Sequence, residues 1–327
     1  MIAKRSAQGR TGMAEIHDLI LQQGIDITRA QSITKAERIA AEAAFKVMTD
    51  EEQRIGIIHA GFAMTALPHR ATTETIWERQ SGDVKLLLES GRTSVTESAG
   101  LPYGSVARMI LLYLQTEAVK TRSRDVELGR SMNTWLNSMG MGNGGHNYNL
   151  VREQSKRLSL CRLTFLRVTP NQKFITNGSF VHDAILPNDD TDDNQFQFWR
   201  PCVRLDEGFF KSLIEHPLPV REAAIRSLGH RSMAIDIYLW LAYRLHVLEK
   251  PIKLTWHNLA DQFGSGFADI KNFKKKFREP LALALAAYPD AKVMAENGGL
   301  VLHPSRPPVE PAASGGTKLR VARAVDL

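Results

Sequence analysis

The sequence reads as an α+β, mostly helical chain: two tandem winged helix-turn-helix modules behind a helical and hairpin N-terminal extension. Three observations predict this. A fixed order of elements occurs twice, with the copies roughly 125–130 residues apart. In each copy the helix after a Gly-rich turn carries bases on one side and apolar residues on the other. The length of 327 residues is that of about two domains at about 150 residues each. The boundaries drawn are an N-terminal helical segment with a β hairpin over 1–98, a first module over 99–206, a second over 207–304, and a disordered basic tail over 305–327.

The elements follow in order. Ala14 to Gln23 has weak helical periodicity. Thr34 to Met48 predicts a helix: Ile39, Ala43 and Val47 recur every four residues, and Thr34 with Glu37 forms a capping box. Ile55 to Leu67 is apolar without clean alternation and ends at Pro68. Thr75–Gln80 and Val84–Glu89 read as strands joined at Ser81-Gly82-Asp83.

The first copy begins at Leu101. Val106–Ala118 is a strongly apolar helix, Val126–Leu128 a short strand, and Ser131–Met139 a short helix. Gly140 to Asn147 is a Gly/Asn-rich turn, and Leu150–Leu160 a helix with bases. Cys161–Val168 and Phe196–Leu205 read as the closing strands. The second copy begins at Arg231. Met233–Leu248 is the apolar helix, Ile252–Thr255 the strand, and Trp256–Phe263 the short helix. Gly264 to Phe267 is the turn, and Ile270–Phe277 opens a Lys-loaded helix. Lys292–Glu296 and Leu300–His303 close around Asn297-Gly298-Gly299. Long helix, strand, short helix, turn, basic helix and hairpin is the order of a winged helix-turn-helix. Pro280 should kink the last helix or mark a break after its basic part.

Composition sets the class. Hydrophobic residues are 43% and charged residues 24%, as in an ordinary soluble globular protein. The longest apolar run, Leu281–Tyr288, is far short of the ~18 residues of a membrane span. The N-terminus has no apolar signal region, which points to a cytoplasmic protein. Two cysteines, Cys161 and Cys202, exclude a disulfide scaffold and a cysteine-rich zinc protein; both read as reduced core thiols. Trp77, Trp135, Trp199, Trp240 and Trp256 read as core rather than stacking platforms. Lys and Arg number 42 against 35 Asp and Glu, a net charge of +7, which suits a polyanionic partner.

The two basic helices are the candidate DNA contacts, because the major groove admits one helix whose outer face is polar and basic. In the first, Arg152 and Lys156 share a face, Arg157 flanks it, and Asn147 and Asn149 lie at the start. In the second, Asp269–Arg278 holds Lys271, Lys274, Lys275, Lys276 and Arg278 against one acid, with Ile270, Phe273 and Phe277 as its buried stripe. The second suits phosphate. The Asn and Arg of the first suit base edges, with Asn on adenine and Arg on guanine. On one chain, the two helices can enter successive major grooves about one turn, ~34 Å, apart.

Enzymatic chemistry finds little support. No Walker-type Gly-rich loop, no G-x-S-x-G and no H-E-x-x-H occurs. Gly142–Gly145 reads as a turn. Asp189, Asp190, Asp192 and Asp193 read as a solvated loop at the first wing tip rather than a Mg²⁺ site. No His-hydrophobic-His triplet suggests a nickase. The expectation is therefore no catalytic residues, no metal and no cofactor.

Leu101–Met141 (LPYGSVARMILLYLQTEAVKTRSRDVELGRSMNTWLNSMGM), followed by GGHNYNLVREQSKRL, closely resembles the plasmid-encoded RepA replication initiator family. So do Ile57–Arg70 (IIHAGFAMTALPHR) and YPDAKVMAENGGLVLHPSRPPV. The resemblance implies a non-catalytic plasmid replication initiator with tandem winged helices. Such a protein binds repeated origin sites (iterons) in double-stranded DNA, helps to open the origin, and recruits the host initiator and helicase. It also implies a bacterial, plasmid-associated location and a monomer–homodimer equilibrium. A winged-helix repressor without an origin role is the alternative of the same class. A nicking or primase-type enzyme is the alternative of another.

Overall fold

The computed structural model describes residues 14–32, 34–168, 171–184 and 202–310. The fold is mixed α+β, and 48% of the described residues are helical. It opens with helices α1 (Ala14–Gln23), α2 (Ile25–Gln31) and α3 (Lys35–Met48). The predicted capping box starts α3: Thr34 Oγ1 accepts from Glu37 N, and Glu37 Oε2 accepts from Thr34 N. Its Ala40, Ala41, Ala43 and Ala44 are all buried, because small side chains let it pack closely on later helices. The apolar stretch that lacked alternation divides into strand β1 (Ile55–His59) and a short helix α4 (Gly61–Met64). Nearly every residue there is buried, so no solvent face imposes a period. The predicted hairpin forms as β2 (Ile76–Ser81) and β3 (Val84–Glu89).

The first unit follows as α5 (Gly104–Thr121), β4 (Asp125–Glu127), α6 (Met132–Ser138) and α7 (Gly145–Leu160). Helix α7 starts earlier than predicted. Tyr148 N bonds to Gly144 O, and Asn147 Nδ2 bonds back to Gly142 O at 2.7 Å, so the Gly-rich turn is short. Next come β5 (Arg162–Val168), β6 (Lys173–Ser179), β7 (Val181–Ala184) and β8 (Cys202–Leu205).

Here the structure corrects the expected hairpin. β5 does not pair with β8 but joins a four-stranded antiparallel sheet in the order β2-β3-β5-β6. Leu163 and Phe165 of β5 stand opposite Leu88 and Leu86 of β3, and all four are buried. That apolar match draws β5 away. The closing strands are instead β7 and β8, in a sheet of order β4-β8-β7. The predicted start of the last strand at Phe196, the Asp189–Asp193 loop and Trp199 lie outside the described residues.

Three elements absent from the sequence reading then appear: α8 (Glu207–Glu215), β9 (Pro217–Arg221) and α9 (Glu222–Leu228). β9 pairs antiparallel with β1, from Ile55↔Arg221 to His59↔Pro217. The second unit is α10 (Ser232–Arg244), β10 (Ile252–Thr255), α11 (Trp256–Phe263), α12 (Ile270–Ala286), β11 (Val293–Glu296) and β12 (Gly299–Leu302), with sheet order β10-β12-β11. Helix α12 runs on through Pro280 rather than breaking there. Phe273, Phe277, Leu281 and Leu285 hold it in the core across the proline, each worth about 1.5–3 kcal/mol when fully buried.

The N-terminal elements are spread over both units. Helix α3 packs on α9 and α12, and β2–β3 extends the sheet that holds β5 and β6. The stretch expected to begin the tail is tied down: Tyr288 Oη donates to Arg306 O, and Arg221 Nε to Pro308 O. Residues 311–327, with Lys318, Arg320 and Arg323, lie outside the described residues. Cys161 is buried and Cys202 half-buried, and both are free. Trp135, Trp240 and Trp256 are buried; Trp77 is half-buried and donates to Ala66 O.

Candidate nucleic-acid interface

The first candidate helix is positioned by its inner face. Val151, Gln154, Ser155 and Leu158 of α7 are buried. Gln154 Oε1 accepts from Tyr103 N at 2.8 Å, which ties α7 to the start of α5. Tyr148 Oη donates to Asn133 Oδ1 and joins α7 to α6. Asn149, Arg152 and Lys156 are spaced three and four residues apart and so share one face. Asn149 and Lys156 are exposed and Arg152 half-buried. Among the described residues none of these three has a hydrogen-bond or ion-pair partner, and Arg152 Nε is shielded with no acceptor.

Asn147 and Arg157 are placed differently. The Asn147 amide closes the turn onto Gly142 O. Arg157 bonds to Leu101 O, pairs with Glu153 at 2.8 Å, and lies 5.1 Å over the Tyr103 ring.

The second candidate helix is fixed by aromatic contacts. Phe273 and Phe277 are buried and tilted at 5.1 Å; Phe267 packs on Phe273, and Phe263 and Trp256 pack on Phe277. Asp269 caps the helix by accepting from Asn272 N at 2.7 Å. With that stripe inward, Lys271, Lys274, Lys275 and Arg278 fall within one face, and Lys276 lies on the flank. Lys271, Lys275, Lys276 and Arg278 are exposed, and no acid pairs with them among the described residues. Lys274 is half-buried, its Nζ 5.8 Å from the Trp256 ring. Helix α11, which precedes it, starts at a capping box of Thr255 with Asn258.

One charged pair escaped the sequence reading. Arg108 of α5 and Asp236 of α10 form a buried two-point ion pair, Nε–Oδ1 and Nη2–Oδ2 both 2.6 Å. The signal was present: each is a charge set among apolar residues near the start of a strongly apolar helix. Among the described residues no group of three His, Cys, Asp or Glu side chains could hold a metal ion, and no helix is long and apolar enough to cross a membrane.

The two units share an element order, and each turns a partly basic helix outward. Residues 101–257 match the family model described as plasmid encoded RepA protein. That match supports the plasmid RepA replication initiator family. No curated protein matches the chain. Two solved structures resemble it. A selenomethionine crystal structure of domains 2 and 3 of RctB has a TM-score of 0.48 at 11% identity, covering 77% of this chain and 99% of that one. A crystal structure of RctB domains 2–3, residues 155–483, has a TM-score of 0.41 at 13% identity, covering 74% and 94%.

Proposed function

We propose that the protein initiates plasmid replication by binding repeated sites in double-stranded origin DNA through α7 and α12, without catalysing a reaction itself. The observation that carries this reading is the face of Lys271, Lys274, Lys275 and Arg278 on α12, unpaired by any acid among the described residues and anchored beneath by Phe273 and Phe277. Cations held on a rigid element pay little to approach phosphate, and each contact releases counterions.

The element order supports reading both units as winged helices, over 99–206 and 207–304. In each, the strand after the first helix pairs with the last strand, and the remaining strand lies outside it, as β4-β8-β7 and β10-β12-β11. In that architecture α7 and α12 are the recognition helices. On α7, Asn149 and Arg152 have base-reading chemistry and Lys156 a phosphate-binding one. Origin opening, recruitment of the host initiator and helicase, and a monomer–homodimer equilibrium follow as the family's further roles.

The test is a gel shift and footprint on the DNA flanking the gene, at two salt concentrations with random competitor. Protection of direct repeats that survives competitor is expected. Lys274→Ala with Lys275→Ala should weaken binding to every sequence and lower the salt slope by about one for each phosphate no longer neutralised. Arg152→Ala should relax sequence preference. Equal losses on specific and random DNA for Arg152→Ala would remove it from base reading. Binding that vanishes with competitor would remove the origin assignment, and a plasmid maintained after gene deletion would leave only a repressor.

A further inference from the structure

Arg108 and Asp236 occupy the same place in the two units. Each is the fifth residue of its leading helix, α5 beginning at Gly104 and α10 at Ser232. Every donor direction of the guanidinium is used. Nε and Nη2 take the two Asp236 oxygens, Nη2 also bonds to Leu67 O at 2.8 Å, and Nη1 bonds to Gly104 O at 2.7 Å and Pro68 O at 3.3 Å. His69 Nδ1 lies 2.9 Å from Ser232 Oγ and 3.7 Å from Asp236 Oδ2, closing the far side of the carboxylate.

We propose that the Arg108–Asp236 pair is the clamp that fixes the angle between the two basic helices, and thereby sets which spacing of DNA half-sites the chain accepts. The inference rests on the proposed duplex binding by α7 and α12, and adds the residues that determine spacing. A buried ion pair is a weak source of net stability, since an apolar pair of like volume often does as well. Its distinctive contribution is direction: a planar fork meeting a carboxylate at two points permits one orientation. Apolar packing, such as that of α4 on α10, has no such directionality.

The clamp is linked rigidly to both outer faces. Helix α5 packs on α7, the turn leading into α5 holds α7 through the Tyr103–Gln154 and Leu101–Arg157 hydrogen bonds, and α10 packs directly on α12. A rotation at Arg108–Asp236 therefore swings one basic helix against the other. Arg108 and Asp236 are positioning residues and touch no DNA.

The test uses the full chain and the duplex it protects, with the two halves re-spaced base pair by base pair through half a helical turn. The unmutated chain should favour one spacing. Asp236→Asn should flatten that preference by about ten-fold or more, with affinity for a single half-site changed less than about two-fold. Should Asp236→Asn not fold, Arg108→Lys keeps the charge and removes the fork, and should flatten the preference likewise. A folded variant that keeps the full preference, or loses half-site affinity in the same proportion, overturns the clamp and leaves duplex binding intact. An unmutated chain indifferent to spacing overturns the two-helix reading itself, and the clamp with it. Spin labels on non-canonical residues at Asn149 and Lys275 give a readout that needs neither variant: one narrow distance is expected, and a broad distribution overturns the clamp.

Discussion

His59 donates its Nε2 proton to Ser212 Oγ at 2.9 Å, while its Nδ1 accepts the Gly61 N–H at 2.9 Å. The ring is buried and stacked on Phe165 at a centroid distance of 4.8 Å. Both nitrogens are satisfied only by the neutral imidazole. Burial, aided by nearby His216, pushes its pKa down from 6.5 to about 3. This arrangement pins β1 and the turn after it against β5 and α8.

A stability dependence on pH follows. The unfolded ring titrates near 6.5 and the folded ring near 3, so the unfolded state binds more protons between those values. The contribution of neutral His59 is complete above pH 6.5 and falls as pH drops toward 3. The slope this site adds reaches about 1.4 kcal/mol per pH unit. Urea unfolding at a series of pH values down to about 5, above the range of ordinary carboxylates, should show this loss. His59→Gln should be less stable at neutral pH but lose stability less steeply on acidification. An identical pH slope in that variant would remove His59 as the source.

Gly299 opens β12 directly against β10. A β-carbon there would strike the Leu254 carbonyl oxygen and lie 2.9 Å from its carbon and 3.0 Å from Thr255 Cα. The pairing Thr255↔Gly299 therefore requires a residue without a side chain. Gly298, one position earlier, has nothing within 4 Å. Gly299→Ala should cost about 1–3 kcal/mol, as for overpacked sites, whereas Gly298→Ala should leave the thermal midpoint nearly unchanged. Equal midpoints for both variants would show that the hairpin shifts to accept the methyl group.

That contrast illustrates how much was legible in the sequence. The second copy could be read almost to the residue, because its strands are short, its caps are explicit, and Trp256, Phe263, Phe273 and Phe277 recur at helical spacing into one core. The Asn297-Gly298 hairpin signal located the turn correctly, yet neither residue has positive φ; the glycine with no room for a side chain is the next one. The first copy was harder. The partner of β5 lies on β3, far back in the chain, and β9 pairs with β1 across about half of it. Local periodicity carries no information on such pairings. The basic faces were legible because solvent-facing charge needs only helical spacing. The Arg108–Asp236 pair was not, because its geometry depends on how two helices meet.

Arg157 shares its helix with the candidate contacts Arg152 and Lys156, and its surroundings separate it from them. Its Nη1 donates to Leu101 O at 3.0 Å, its Nη2 pairs with Glu153 at 2.8 Å, and its guanidinium lies over Tyr103. Gly100 packs so closely that a β-carbon there would lie 2.9 Å from Arg157 Cζ. The side chain braces the Leu101-Pro102-Tyr103-Gly104 turn against α7. Arg157→Ala should lower unfolding stability by about 1–3 kcal/mol, the cost of leaving buried partners unmet. Arg157→Lys should recover little, since an ammonium cannot form the fork and stack together. Affinity for random DNA should change little in either variant, with a salt slope close to that of the unmutated chain. Lys274→Ala with Lys275→Ala should give the opposite pattern, with stability nearly kept and the salt slope reduced. If Arg157→Ala instead lowers the slope by about one unit, the guanidinium leaves Leu101 and Tyr103 on binding and reaches a phosphate, and the brace holds only in the free protein.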